Sequence, residues 1–183
     1  MWFSLNNERA LSVCKQNMGK GGRPYKIHKD LTKLSGLVED GDDNAVRKII
    51  QNHGIDSFDE DKRTALIWAA YFKRLDLMTW LIDNGAEVNY QDRNGYTALH
   101  FCGQEQITEV AKILLDHGAD PNIKDEHGNS PLWTALFNAR GNFEMVKLLR
   151  AYGADPVPKN LHGRSPNDMA MTIYQKEIDE LIK

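Results

Sequence analysis

The sequence predicts an all-α solenoid of helix-turn-helix units joined by short hairpin-like loops, about five in number with a degenerate unit at each end. Two observations carry this. The stretch from Arg93 to Asn122 sets a frame that the chain repeats. Thr64-Ala65-Leu66 answers Thr97-Ala98-Leu99, and Asn84-Gly85-Ala86-Glu87-Val88-Asn89 answers His117-Gly118-Ala119-Asp120-Pro121-Asn122, a step of 97 − 64 = 118 − 85 = 33 residues. Ser130-Pro131-Leu132 reopens the frame after 130 − 97 = 33 residues, whereas Gly153 closes it after 153 − 118 = 35, so the third copy carries two extra residues. A fixed period of this length marks units that each expose an apolar face and bury it against the next. Within each frame, apolar residues also fall at helical spacing in two separate runs.

The opening Thr97-Ala98-Leu99-His100-Phe101-Cys102 stands where the ankyrin repeat has Thr-Pro-Leu-His-x-Ala, and over roughly Leu31 to Lys183 the chain resembles that family. The resemblance implies a 1–27 N-terminal basic extension and a 28–183 repeat domain. The latter divides into an N-cap (28–60), repeats at 61–92, 93–125 and 126–159, and a C-cap (160–183).

Taken in order, Leu5 to Gln16 reads as a short helix and Met18 to Pro24 as a basic linker. Gly19, Gly21 and Gly22 lack the Gly-x4-Gly-Lys-Ser/Thr spacing and the preceding strand of a phosphate loop. Leu34 and Leu37 start the capping unit, Gly41-Asp42-Asp43-Asn44 makes its turn, and Val46, Ile49 and Ile50 form its second stripe. In the first full repeat Thr64 opens the inner helix and Leu66, Ala69 and Ala70 pack inward. Leu77, Trp80, Leu81 and Ile82 line the outer helix, which Gly85 ends at positive φ. Leu99, Cys102 and Gly103, then Val110, Ile113, Leu114 and Leu115, take these places in the second repeat. Leu132, Ala135, Met145, Leu148 and Leu149 do so in the third, with the two extra residues between Leu136 and Phe143. Asp168 falls near the histidine position of a last, shortened unit, whose closing helix presents Ile178, Leu181 and Ile182. A polar outer face at each end is what a terminal repeat requires. By resemblance, His100 is structural and bonds backbone across a repeat boundary.

Composition bounds function. With 41% hydrophobic and 27% charged residues and a net charge of −3, the chain reads as a soluble globular protein with no favoured partner class. The start has no apolar run of export-signal length, which predicts a cytoplasmic protein, and Cys14 and Cys102 suggest no disulfide framework. The spacing holds no His-x3-His, Cys-x2-Cys, Gly-x-Ser-x-Gly or nucleotide fingerprint, so no metal, cofactor, small-molecule substrate or enzymatic activity is expected.

Recognition is left. In the ankyrin resemblance, partners meet the hairpin tips and the ends of the inner helices, on the concave face. Here those positions are Glu60, Asp61, Arg63, Tyr71, Phe72, Arg93, Asn94, Tyr96, Gln104, Glu105, Glu126, His127, Phe137 and Asn138. Aromatics among them are the residue type enriched at binding hot spots. Tyr71, Tyr96 and Phe137 are expected to be exposed in one patch, and Trp68 and Trp133 to bury against neighbouring repeats. The degenerate caps and the insertion resemble stand-alone bacterial ankyrin proteins, some of which are immunity proteins that occupy a toxin; a toxin or effector is the narrower expectation for the partner. The alternative is nucleic-acid binding through the basic arm of Arg9, Lys15, Lys20, Arg23, Lys26, Lys29 and Lys33.

Overall fold

The computed structural model describes residues 27–181. The expected helix at Leu5 to Gln16, the glycine linker, Cys14 and Ile182 lie outside that range. After a 3-10 turn at Leu31–Lys33, the helices come in pairs. They are α1 (Leu34–Asp40) and α2 (Asp43–His53), α3 (Ala65–Tyr71) and α4 (Leu75–Asp83), α5 (Ala98–Glu105) and α6 (Thr108–Asp116), α7 (Pro131–Phe137) and α8 (Glu144–Ala151), and α9 (Pro166–Tyr174) and α10 (Ile178–Leu181). Among the described residues the only β pairing is an isolated bridge between Phe58 and Thr64. The first helices of the pairs pack side by side in the order α1, α3, α5, α7, α9, and each second helix lies against its own partner.

One continuous core runs through the row. Leu66, Leu99 and Leu132, one per repeat, are buried, as are Leu81, Leu114 and Leu149 on the outer helices. Each such leucine contributes about 1.5–3 kcal/mol relative to exposure. Small residues set the spacing between inner helices. A Cβ added to Gly103 would stand 2.9 Å from the Pro131 carbonyl oxygen and 3.2 Å from the Ala135 nitrogen, so α5 and α7 touch backbone to backbone there. On α4 the stripe is Leu77, Met78 and Leu81, while Trp80 and Ile82 are only half-buried.

The loop tips share one device. The Asp59 Oδ1 accepts from the Asp61 and Arg63 amides, each at 2.9 Å. Asp92 Oδ1 accepts from Asn94 and Tyr96 at 2.8 Å, and Asp125 Oδ1 from His127 at 2.9 Å and Asn129 at 2.8 Å. Asn160 does the same with His162 and Arg164 at 2.9 and 3.1 Å. A buried carboxylate is tolerated because backbone donors satisfy it. Successive tips are joined by single backbone bonds, from Arg93 N to Asp61 O, Glu126 N to Asn94 O and Leu161 N to His127 O, at 2.8–2.9 Å. The turn needs a left-handed residue: Gly95 supplies it at φ 78°, whereas Lys62 holds φ 58° in the first tip.

At the other end of each repeat, asparagines staple neighbours. Asn89 accepts from the Asp120 amide (2.8 Å) and donates to the Gly118 carbonyl (3.2 Å), and Asn122 repeats this with Asp155 and Gly153. Asp56 holds the equivalent place one repeat earlier and accepts from the Glu87 amide at 2.9 Å.

The caps dock through side chains that reach across. Arg74 donates to the Val38 carbonyl and to Asp43, both at 3.0 Å, clamping the α1–α2 turn onto the first full repeat. That turn is tighter than expected. Gly41 ends α1 in the left-handed region, Asp42 caps α2, and Asp43 and Asn44 are already helical. The inserted residues do lengthen the α7–α8 connection, and within it Phe143 meets Tyr174 of α9 edge-on at 4.9 Å.

Candidate functional site

The buried acids that shape the tips also build a groove beside them. Asp59 uses its second oxygen, Oδ2, to accept from the Trp68 indole at 2.8 Å, and Asp92 uses Oδ2 for the Arg63 Nε at 3.5 Å. The Arg63 guanidinium therefore lies between two rings, 4.9 Å from Trp68 and 5.5 Å from Phe101. Tyr71 meets Trp68, Phe72 and Phe101 edge-on at 5.1–5.9 Å, while Tyr96 stacks on His100 at 5.0 Å and leans on Phe101 at 5.4 Å. With Asn94 and Gln104 these side chains line an open groove of about 370 Å³. A cation stacked on aromatic faces and fixed from behind by a buried carboxylate is presented to a ligand with its rotamer already chosen.

Burial, reinforced by the charge of Asp125, pushes the Tyr96 phenol up, with a hydrogen bond to Thr134 opposing and the charge of Asp92 adding, so the phenol stays neutral. Behind it His100 is buried and its pKa is lowered to about 4 by desolvation, against the opposing pull of its bond to Asn129 and of Asp125. Its Nδ1 accepts from the Thr97 amide at 3.1 Å, so Nε2 carries the proton and donates to the Asn129 carbonyl at 3.2 Å across the repeat boundary. Burial likewise raises the Cys102 thiol, leaving an unreactive core residue.

None of the residues expected to meet a partner is buried. Glu60, Asp61, Arg93, Asn94, Glu126 and His127 are exposed at the tips, where Arg93 bonds the Glu60 carbonyl and pairs with Asp61 at 3.7 Å. Gln104 bonds Glu105 at 2.9 Å, and Asn138 turns back to the Thr134 carbonyl at 2.9 Å. Several expectations change. Tyr71 and Tyr96 are both half-buried rather than free, because Phe101 supplies a ring for each to pack on. Phe137 is 67% exposed yet makes no ring contact among the described residues, so it stands outside the patch it was expected to join. Trp68 is a wall of the groove instead of repeat-to-repeat packing. Trp133, at the His100 position of the third repeat, is also only half-buried and lines a separate cleft of about 250 Å³ with Asn129, Asn160 and Arg164.

Phe101 was missing from the sequence reading. Its signal was an aromatic at one inner-helix position in two consecutive frames, 101 − 68 = 33. Most of the basic arm lies outside the described residues; Lys29 and Lys33 are exposed. Among the described residues no helix is long and apolar enough to cross a membrane.

Comparison with known proteins agrees with the repeat geometry. The family model for ankyrin repeats matches residues 34–125 and 91–160. A 102-residue stretch, 55% of this chain, is 35% identical to the E3 ubiquitin-protein ligase Ufd4 of Drosophila melanogaster, of which it spans only 4%. A match to so small a part of the ligase carries nothing of its activity to this chain. With the helix pairs and the tip turns recurring at the frame the family model recognises, the chain belongs to the ankyrin-repeat family.

Proposed function

We propose that this array binds another protein through the face made by its loop tips and inner helices, with the Arg63 groove as the centre of contact. Ankyrin repeats in general mediate protein-protein interaction, and what supports this particular face is the stacking of Arg63 between Trp68 and Phe101 beside Tyr71 and Tyr96. Arginine and large aromatics dominate binding energy where they are pre-packed, and the charged tips Glu60, Asp61, Arg93 and Glu126 form the polar rim that such a centre needs. On this reading 28–183 is the working domain and the chain is no enzyme.

A photo-crosslinking side chain placed at Gln104 should trap one protein in native lysate, whereas the same group at Thr79, exposed on the outer helix α4, should not. Equal trapping at both positions, or trapping at Thr79 alone, contradicts the proposal. A narrower reading, that the partner is a toxin or effector neutralised by occupation of this face, rests on the likeness to stand-alone bacterial ankyrin proteins. It predicts that co-expression of the chain rescues cells from the trapped protein, and that a groove variant does not.

A further inference from the structure

Away from the groove, at the outer edge of the N-terminal cap, the fold brings His53 to His28 and Asp30, which lie two residues apart. His28 precedes the 3-10 turn, Asp30 is the residue just before it, and His53 is the last residue of α2. The His28 Nδ1 lies 3.3 Å from Asp30 Oδ2, and the His53 Nε2 lies 4.0 Å from the same oxygen. The three ligand atoms all fall within 4.8 Å of one another, and the two imidazole centroids are 4.6 Å apart.

From this geometry we infer that His28, Asp30 and His53 form a site for a zinc-class divalent cation, with water completing the coordination. Metal bonds of about 2.0–2.2 Å in a tetrahedral site put neighbouring ligand atoms about 3.3–3.6 Å apart. One edge has that length already, and the others close by movements of roughly an ångström. Such movement is available, since the His28 side chain is 51% exposed and Asp30 half-buried at its tip. The Asp30 amide approaches His28 Nδ1 at 3.4 Å, a long contact that a metal bond to the same lone pair would replace. His53 also sits at the C-terminus of an eleven-residue helix, whose dipole favours a cation. Two imidazoles and one carboxylate suit zinc, nickel or copper(II) and disfavour calcium and magnesium, which want oxygen ligands. Bound there, the cation ties the chain entering the array to the far end of the capping helix pair.

The test is titration of the full chain with Zn²⁺ alone, by calorimetry, on the wild type and on H28N, D30N, H53N and a control, H162N. One site per chain is expected in the wild type and in H162N, with at least tenfold weaker binding in H28N and H53N. Circular dichroism checks that each variant keeps its helices. If a variant does not fold, the wild-type proton NMR spectrum decides, because the ring signals of His28 and His53 should move before those of the other histidines. No binding, binding that H28N and H53N leave unchanged, or first movement at His117, His127 or His162 would overturn the assignment and leave adventitious surface histidines only.

Discussion

His100 and Asp56 are two buried or half-buried titratable groups whose pH effects run in opposite directions. For His100 the folded pKa, about 4, lies below the ordinary 6.5, so the unfolded chain binds more protons between those values. Its contribution is complete above pH 6.5 and is lost as pH falls through about 4, a loss of about 3 kcal/mol. Urea midpoints measured from pH 7 down to pH 4 should therefore fall, and a flat profile would mean that His100 is not buried as a neutral imidazole. Asp56 is displaced the other way. Desolvation raises its carboxyl above 3.8, with the Glu87 amide opposing and the Glu87 charge adding. Its burden on the fold appears as pH rises through that window and stays at neutral pH. The two following repeats place Asn89 and Asn122 at this position, each accepting one bond and donating another. Asp56→Asn should keep the bond from Glu87 and gain one to the Gly85 carbonyl, stabilising the protein by about 0.5–2 kcal/mol at pH 7. Thermal melts that show Asp56→Asn less stable than wild type would count against the asparagine staple.

At the scale of elements, the helices were legible because periodicity and punctuation agree. Apolar spacing marked each pair, Thr64 and Thr97 marked the starts, and Gly85 and Gly118 the ends, all at the same step. What escaped was interaction between elements. Asp59, Asp92 and Asp125 recur at the 33-residue step, but charged residues beside a loop read as solvent-facing, and only the fold shows the oxygens of Asp59 and Asp92 split between a turn and a groove side chain. Phe101 escaped for a similar reason, since one ring can be core and groove wall at once. Helix-to-helix contact makes a sharp prediction at Gly103, whose absent side chain lets α5 approach α7. Gly103→Ala drives a methyl against the Pro131 carbonyl and should cost about 1–3 kcal/mol despite the better helix propensity of alanine. A stability equal to or above that of the wild type by denaturant melt would show that the two helices have room to part.

For the molecule as a whole, the account turns on one asymmetry: the outer helices carry an ordinary solvated surface, while the inner face carries a preassembled arginine and aromatic cluster. The expected patch of Tyr71, Tyr96 and Phe137 was half legible: two of its rings line one groove, but the packing on Phe101 that half-buries them cannot be read from repeat position. The decisive measurement is the affinity of the trapped partner for wild type, Arg63→Lys, Tyr96→Ala and Lys112→Ala, with a melting temperature recorded for each. Lysine keeps a charge near Asp92 but loses the planar stack, so Arg63→Lys and Tyr96→Ala should each weaken binding by about 2 kcal/mol, roughly thirtyfold. Lys112→Ala, which removes exposed contacts with Asp116 on α6 and with Tyr152, should leave affinity within about 0.5 kcal/mol of wild type. Folded Arg63→Lys and Tyr96→Ala proteins that bind as tightly as wild type, or a Lys112→Ala protein that binds as weakly as they do, would contradict the assignment of function to this face.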